Sequence, residues 1–347
     1  AGTSGAGTSG AGTSGGGASS AGTSAAGARG AAWRTPRACR EALAGGVERP
    51  DGRARVASWN LRWFPDGSSH GPSEQPTDVE WAACVLAALR VDVVALQEIL
   101  LHARGRAALA RLTDRLDALT GGRWESRFDG CRRDGRQHVG FLWDASRVEA
   151  RRWTALAELN PLGGCAHHLR PGLAVDLRWR GGLDLHAVVV HLDSGREARD
   201  HGHRRQSLVA LEDALGRLRA QRMDDDLLVL GDFNTMGCRT CPGQAQAARE
   251  LAWLDARIGG MQPALRRVRV AEGRPACTEY YRGRGGLLDH VLASVPMREL
   301  SPGARLEAAG PCADHPCRLP RGRDVPFLQR LSDHCPIVVE LSDRDDD

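Results

Sequence analysis

The chain has 347 residues, 41% of them hydrophobic and 26% charged, and a net charge of +4 in which all 47 basic residues are arginine. Such values belong to a soluble globular protein with a sizeable core and exclude a mainly disordered one. No apolar run approaches the roughly 18 residues of a membrane-spanning helix. The all-arginine balance reads first as codon bias and second as a surface suited to bidentate phosphate contacts.

Residues 1–32 hold only Ala, Gly, Ser and Thr apart from Arg29, with Ala-Gly-Thr-Ser-Gly repeated at 1–5, 6–10 and 11–15. Such a stretch has no apolar surface to offset the entropy of ordering it, so a flexible linker is expected. An N-terminal extension at 33–53 leads into one folded domain at 54–341, and 342–347 is an acidic tail. The domain opens with a strand at 54–59 and a loop over 60–67, and Thr77 is placed to cap a helix at 78–90. A buried strand at 91–96 runs into Gln97-Glu98, followed by a helix at 104–119 and a strand at 138–143. A hairpin pairs 174–180 with 183–191 about Gly181-Gly182, and an Arg-rich helix covers 197–222. The apolar strand 227–230 enters Gly231-Asp232-Phe233-Asn234, a helix follows at 244–257, and strands at 287–294 and 336–341 close the domain. Hairpins mixed with fully apolar strands predict an α/β (α+β mixed) fold of mixed sheets covered by helices.

Ten cysteines, with Cys238 near Cys241 and Cys312 near Cys317, favour disulfides in an oxidising compartment over a four-cysteine zinc site. The start at Ala rather than Met fits removal of a leader, as does a linker that holds the domain off a membrane or cell wall. An exported protein is the expectation.

The chemistry lies at the strand ends. Asn60, Glu98, His191, Asp232 with Asn234, Asp289 with His290, and Asp333 with His334 each stand at or just past an apolar strand. One such residue is an ordinary turn former, but six strand ends confined to Asn, Asp, Glu and His are not explained by turns. Carboxylate and amide oxygens suit Mg²⁺ or Mn²⁺, with Ca²⁺ as the alternative, although too few groups are in view for a dedicated calcium cage. Asp232 and Asn234, two apart on an extended segment, face one side and can grip one water. Cation, oriented water and histidines together describe phosphate-ester hydrolysis. His167, His168, Asp200, His201 and His203 read as exposed loop residues rather than ligands.

Ser58-Trp59-Asn60, Leu96-Gln97-Glu98, Val190-His191-Leu192-Asp193-Ser194, Gly231-Asp232-Phe233-Asn234, Leu288-Asp289-His290 and Ser332-Asp333-His334-Cys335-Pro336 resemble, in order, the motifs of the endonuclease/exonuclease/phosphatase superfamily. The likeness spans 54–341 and implies a deoxyribonuclease-I-like four-layer sandwich, two packed mixed β-sheets flanked by helices. It implies Glu98 as principal metal ligand with Asn60 and Asp333. Asp232 would orient or deprotonate water, and Asn234 would hold water or phosphate. Asp289 would fix the ring of His334, which contacts phosphate or transfers a proton, and His191 would be a second proton donor or phosphate ligand. The resemblance implies that Arg62 would reach a DNA phosphate or the minor groove; Trp63, by its place beside the proposed site, is a candidate base-stacking or substrate-wall residue. Where some members pair the residue matching His191 with a glutamate, the nearest counterpart here is Gln137. The deoxyribonuclease I pattern joins Cys238 or Cys241 to Cys277, which competes with a Cys238–Cys241 bridge, while Cys312–Cys317 is the expected local pair.

The implied activity is a divalent-metal-dependent phosphodiesterase, a nuclease on DNA, acting as a monomer. The alternatives are a phosphomonoesterase or sphingomyelinase-like enzyme of the same superfamily, or a non-catalytic phosphate-binding module.

Overall fold

A strand apolar on both faces needs a packing layer on each side, and Leu227–Leu230 has one on each. The computed structural model describes Gly2 and residues 32–71, 75–131, 136–222, 225–243, 246–271, 276–319 and 325–345. The expected linker at 1–32 therefore lies outside the described residues except for Gly2 and Ala32.

Two six-stranded sheets lie face to face. The first runs in the order β13 (Glu307–Ala308), β14 (Ile337–Ser342), β1 (Arg53–Phe64), β2 (Val93–Leu100), β4 (Gln137–Asp144) and β3 (Trp124–Phe128). The second runs β5 (Val148–Leu156), β6 (Gly172–Trp179), β7 (Asp184–His191), β8 (Leu227–Asp232), β12 (Asp289–Ser294) and β9 (Leu265–Arg267). A hairpin of β10 (Glu279–Tyr281) and β11 (Arg284–Gly286) stands apart. Among the strands of the described residues, only β1 with β2 and β7 with β8 pair in parallel.

Alternation along the strands fills three apolar layers. Val56, Val93, Val189, Leu228 and Val291 meet between the sheets. Trp59, Val94 and Leu96 point the other way, against α1 (Pro36–Ala42), α2 (Val79–Leu89) and α3 (Ala103–Thr120). Val188, Val190, Leu227 and Val229 pack on α4 (Ala198–Arg222) and α5 (Ala247–Gly259). Helix, sheet, sheet, helix is the expected four-layer order.

Several local expectations change. The stretch 60–67 is strand as far as Phe64 rather than loop. Asp78, not Thr77, caps α2, its carboxylate accepting from Trp81 N–H at 3.1 Å while Thr77 N–H donates to Pro65 O at 3.0 Å. The expected acidic tail begins inside the fold, because β14 includes Ser342 and Asp343 O accepts from Leu183 N–H at 3.0 Å. The extension at 33–53 carries α1, pinned to α2 by Cys39–Cys84. The other bridges are Cys131–Cys165, Cys238–Cys241, Cys277–Cys317 and Cys312–Cys335. Both the local pair Cys312–Cys317 and the link to Cys277 from Cys238 or Cys241 are thus corrected. The β10–β11 hairpin draws Cys317 to its base, Gly285 N–H donating to Cys317 O at 2.8 Å, and frees Cys312 for Cys335. All ten cysteines are paired, so the four-cysteine zinc site does not form.

Candidate active site

Two backbone irregularities aim the first-sheet residues. Asn60 pairs with Gln97 and Phe64 with Ile99, so four steps along β1 span two along β2. Leu96 pairs with Gly140 and Ile99 with His138, so β2 itself holds one extra residue against β4. Glu98 lies in that bulge with φ +63°, and Arg62 and Trp63 opposite have φ +42° and +51°. Left-handed backbone costs a non-glycine residue roughly 1–2 kcal/mol, and a bulge re-aims the side chain it carries. The Glu98 carboxylate is clamped on both oxygens: Trp63 N–H donates to Oε2 at 3.0 Å and Asn60 Nδ2 to Oε1 at 3.2 Å.

In the second sheet the ladder register places His191 and Asp289 on either side of Asp232. Gly231 precedes it with φ +150°, and a Cβ there would lie 1.9 Å from Val190 O, so only glycine fits where β7 and β8 approach. Asn234, at φ +50°, donates its N–H to Asp232 Oδ1 at 2.9 Å and its side-chain Nδ2 to Leu192 O at 3.1 Å. The sheets are stitched together here, because Asn60 Nδ2 also donates to Asp232 Oδ2 at 3.1 Å. His334, just before β14, places Nδ1 2.9 Å from Asp289 Oδ2 and Nε2 3.7 Å from Asp232 Oδ2. Atoms of Asp232, Asp289 and His334 lie within 4.8 Å of one another, a grouping with metal-ligating chemistry. Since Asp289 is already bonded to His334, we read the trio as a proton-holding array beside Glu98.

The environment drives the two histidines apart. Burial alone would lower His334, but Asp289 and Asp232, through charge and the Asp289 hydrogen bond, hold it well above the ordinary histidine range. Burial, then the Arg170 and His334 charges, push His191 well below it. Arg170 Nε donates to His191 Nδ1 at 3.1 Å. Arg170 Nη2 lies 2.8 Å from Nδ1 and 2.9 Å from Nε2, and Nε2 lies 3.4 Å from Asp232 Oδ2, so a group that only donates rests on the ring and favours its neutral form. Asp232 is raised by burial, against the pull of His334 and with Asp289 and Glu98 adding to the rise. Glu98 is raised by burial and by Asp333. Glu279 is pushed to about 8 by burial, against the pull of His334 and with Asp333, Asp232 and Asp289 adding to the rise.

The structure gathers Asn60, Glu98, His191, Asp232, Asn234, Asp289 and His334 at one end of the sheet pair. Asp333 is half-buried and acts on Glu98 through its charge. Arg62 is otherwise engaged: its guanidinium donates to Leu328 O and Gln329 O, each at 2.7 Å, tying β1 to α6 (Pro326–Arg330). Trp63 is half-buried and contributes its backbone to Glu98. Neither Arg62 nor Trp63 lines the cleft. The residue against His191 is Arg170, not Gln137, which pairs with Leu100.

The cleft above these groups has a volume of about 1110 Å³, and its wall includes Arg196, Glu279, Tyr281, Arg282 and Arg284. Tyr281 is 61% exposed, and the Arg282 guanidinium lies 5.1 Å from its ring centre. None of these wall residues, nor Arg170, was singled out from sequence. One arginine among 47 carries no signal, although Gly283-Arg284-Gly285-Gly286 is a turn signal.

The model of the endonuclease/exonuclease/phosphatase family matches residues 57–334. No curated protein matches in sequence. Among solved structures, D. rerio TDP2 complexed with single strand DNA product is 16% identical with a TM-score of 0.53, covering 84% of this chain and 99% of that one. The human Nocturnin catalytic domain with bound sulfate is 15% identical with a TM-score of 0.53, covering 85% and 96%. An endonuclease/exonuclease/phosphatase from Bacteroides vulgatus is 16% identical with a TM-score of 0.54, covering 83% and 98%. At such identities the structural likeness speaks for the fold.

Proposed function

The chain belongs to the endonuclease/exonuclease/phosphatase family of phosphoester-hydrolysing enzymes, and from that premise we propose that it is a divalent-metal-dependent phosphodiesterase acting on nucleic acid, DNA first. The observation that carries the substrate class is the wall: Arg196, Arg282 and Arg284 line the cleft, and none of the three is paired with a carboxylate among the described residues. A substrate with phosphates flanking the scissile one supplies the missing charge, and an exposed tyrosine beside them offers a stacking face. A cationic choline headgroup meets the wrong sign. Complete pairing of the cysteines supports an exported protein.

The donor set fits a hard cation. Glu98 is held rigidly on both oxygens, and the crowding of Glu98, Asp232 and Asp333 is relieved by positive charge. Glu98, Asn60 and Asp333 would hold Mg²⁺ or Mn²⁺. When bound, the cation offsets charge on the phosphoryl and leaving oxygens.

The protein groups do the rest. Asp232, fixed by Asn60 and the Asn234 N–H, receives a proton from the attacking water as the new P–O bond forms and the ester P–O bond breaks. Base and acid of an in-line displacement stand on opposite sides of phosphorus, whereas His334 Nε2 is 3.7 Å from Asp232. His334 therefore keeps its proton and donates to a non-bridging oxygen. Arg170 and neutral His191 add donors from the other flank.

Plasmid nicking with Mg²⁺, Mn²⁺ or chelator, run beside Glu98→Ala, tests the reading. Cation-dependent nicking absent from the variant is expected. Hydrolysis of a phosphomonoester or sphingomyelin by metal-replete protein that leaves plasmid intact overturns the nucleic-acid assignment.

A further inference from the structure

Two loops build one side of the cleft. The loop after β7 contributes Ser194, Gly195 and Arg196, and the loop after β8 contributes Asn234, Thr235 and Met236. Helix α4 follows the first loop and α5 the second, and a guanidinium from one meets a carboxylate from the other. Arg204 Nε donates to Glu250 Oε1 at 2.7 Å, and Nη2 donates to Oε2 at 3.0 Å. Both side chains are buried, Arg204 at 1% exposure and Glu250 at 5%.

The remaining donors of Arg204 show what the pair does. Nη1 donates to Asp193 O at 3.2 Å and to Gly195 O at 2.9 Å, and Nη2 donates to Gly237 O at 3.0 Å. Together with the bonds to Glu250, these occupy all the N–H groups a guanidinium has. Glu250 Oε2 accepts in turn from Gly237 N–H at 2.6 Å. Carbonyls from both loops thus converge on one rigid fork. A lysine ammonium, with fewer donors on a flexible stem, cannot make this set. Packing alone calls for an apolar pair here, which is less costly to bury than two charges. A fork whose donors are spent on loop carbonyls serves position instead.

The loops so joined carry Asn234. Its Nδ2 donates to Leu192 O at 3.1 Å, and Leu192 immediately precedes Asp193. Gly237 follows in the same loop as Asn234. Arg204 therefore holds both the segment that offers the acceptor and the segment that carries the amide. The seam continues to the wall, where Arg239 N–H donates to Arg196 O at 2.6 Å.

We propose that Arg204, braced by Glu250, is a positioning residue that locks the two cleft loops into one unit and thereby holds the Asn234 amide for the reaction. Its consequence for turnover rests on the phosphodiesterase reading above; the locking itself does not.

Arg204→Lys keeps a charge opposite Glu250 and gives up the fork, with near-ultraviolet circular dichroism to verify the fold. Should the lysine variant not fold, Arg204→Met with Glu250→Leu, which buries no charge, takes its place. Amide hydrogen exchange should quicken together in peptides covering 192–196 and 234–238 and stay unchanged in β2. On a small chromogenic phosphodiester with Mg²⁺ or Mn²⁺, kcat should fall on the order of 10²-fold, by more than KM rises. Asn234→Gly keeps the left-handed backbone and removes the amide. In that background Arg204→Lys should cost about threefold or less, whereas a merely structural loss costs the same factor in both backgrounds. A folded variant whose two loops exchange at parental rates overturns the proposal, as does an equal factor in the two backgrounds. A parent chain inactive on the diester with either cation overturns the phosphodiesterase reading alone, and the exchange rates then decide the locking.

Discussion

Arg170 Nε donates to His191 Nδ1 at 3.1 Å, so a buried group with only donors rests on the ring that faces Asp232 and Glu98. The contact fixes the imidazole neutral and oriented while bringing a positive charge to a floor of carboxylates. Arg170→Met keeps much of the volume and removes both effects. We expect kcat/KM for a nucleic-acid substrate to fall on the order of 10²-fold, the size of a lost preorganised donor. A change under threefold in steady-state cleavage would show that His191 needs no such support.

The pH profile should follow His334. Its pKa is held above the ordinary range, so the imidazolium is present through neutral pH and is lost as pH rises through that raised value. Activity should decline on the alkaline side. Asp289→Asn removes the first of the three carboxylates responsible, Asp289, Asp232 and Asp333, and should move that limb to lower pH, besides lowering kcat. An alkaline limb that stays in place in the variant, measured as kcat against pH, would assign it to another group.

The cleft wall should act on binding rather than turnover. Arg284→Ala is expected to raise KM for plasmid or oligonucleotide several-fold and to reduce the salt slope of log KM by about 1. Tyr281→Ala should cost roughly 1–3 kcal/mol of single-strand affinity through lost stacking. Neither should slow hydrolysis of a small chromogenic diester. Unchanged KM and salt slope in both would remove the wall from substrate recognition.

Acid stability should trace to a histidine outside the reaction. His290 is buried against Thr235, its Nε2 2.9 Å from Oγ1, and burial with the Arg267 charge lowers it to about 3. Unfolded, it titrates near 6.5. Between those values the unfolded chain binds a proton that the folded chain refuses, so stability falls as pH drops through the window. The share lost between pH 7 and 4.5 is about 2–3 kcal/mol. Urea midpoints for His290→Gln should show a correspondingly smaller fall, and an equal fall would place the acid sensitivity elsewhere.

The sequence was most legible where burial and strand periodicity agree. Val93–Leu96 and Leu227–Leu230 are apolar because both faces are covered, and the polar residues that end them are those that meet over the cleft. It was less legible where backbone and partner decide. Asn60–Phe64 reads as a turn because its residues suit one, yet pairing with β2 keeps it extended despite two left-handed positions. Edge strands such as Trp124–Phe128, with pattern-breaking exposed charges, lack the alternation that reveals a strand. Disulfide partners depend on which loops the hairpin draws together, a long-range fact that spacing along the chain does not hold.

Asn60 and Glu98 come from one sheet, Asp232 and Asp289 from the other, and two hydrogen bonds, Asn60 to Asp232 and His334 to Asp289, cross the seam. Neither sheet alone contains a competent half. Catalysis is thus a proximity gauge for the docking of two layers. On heating, turnover should vanish together with the near-ultraviolet signal of packed aromatics, while far-ultraviolet evidence of strands persists wherever the layers part before they unravel.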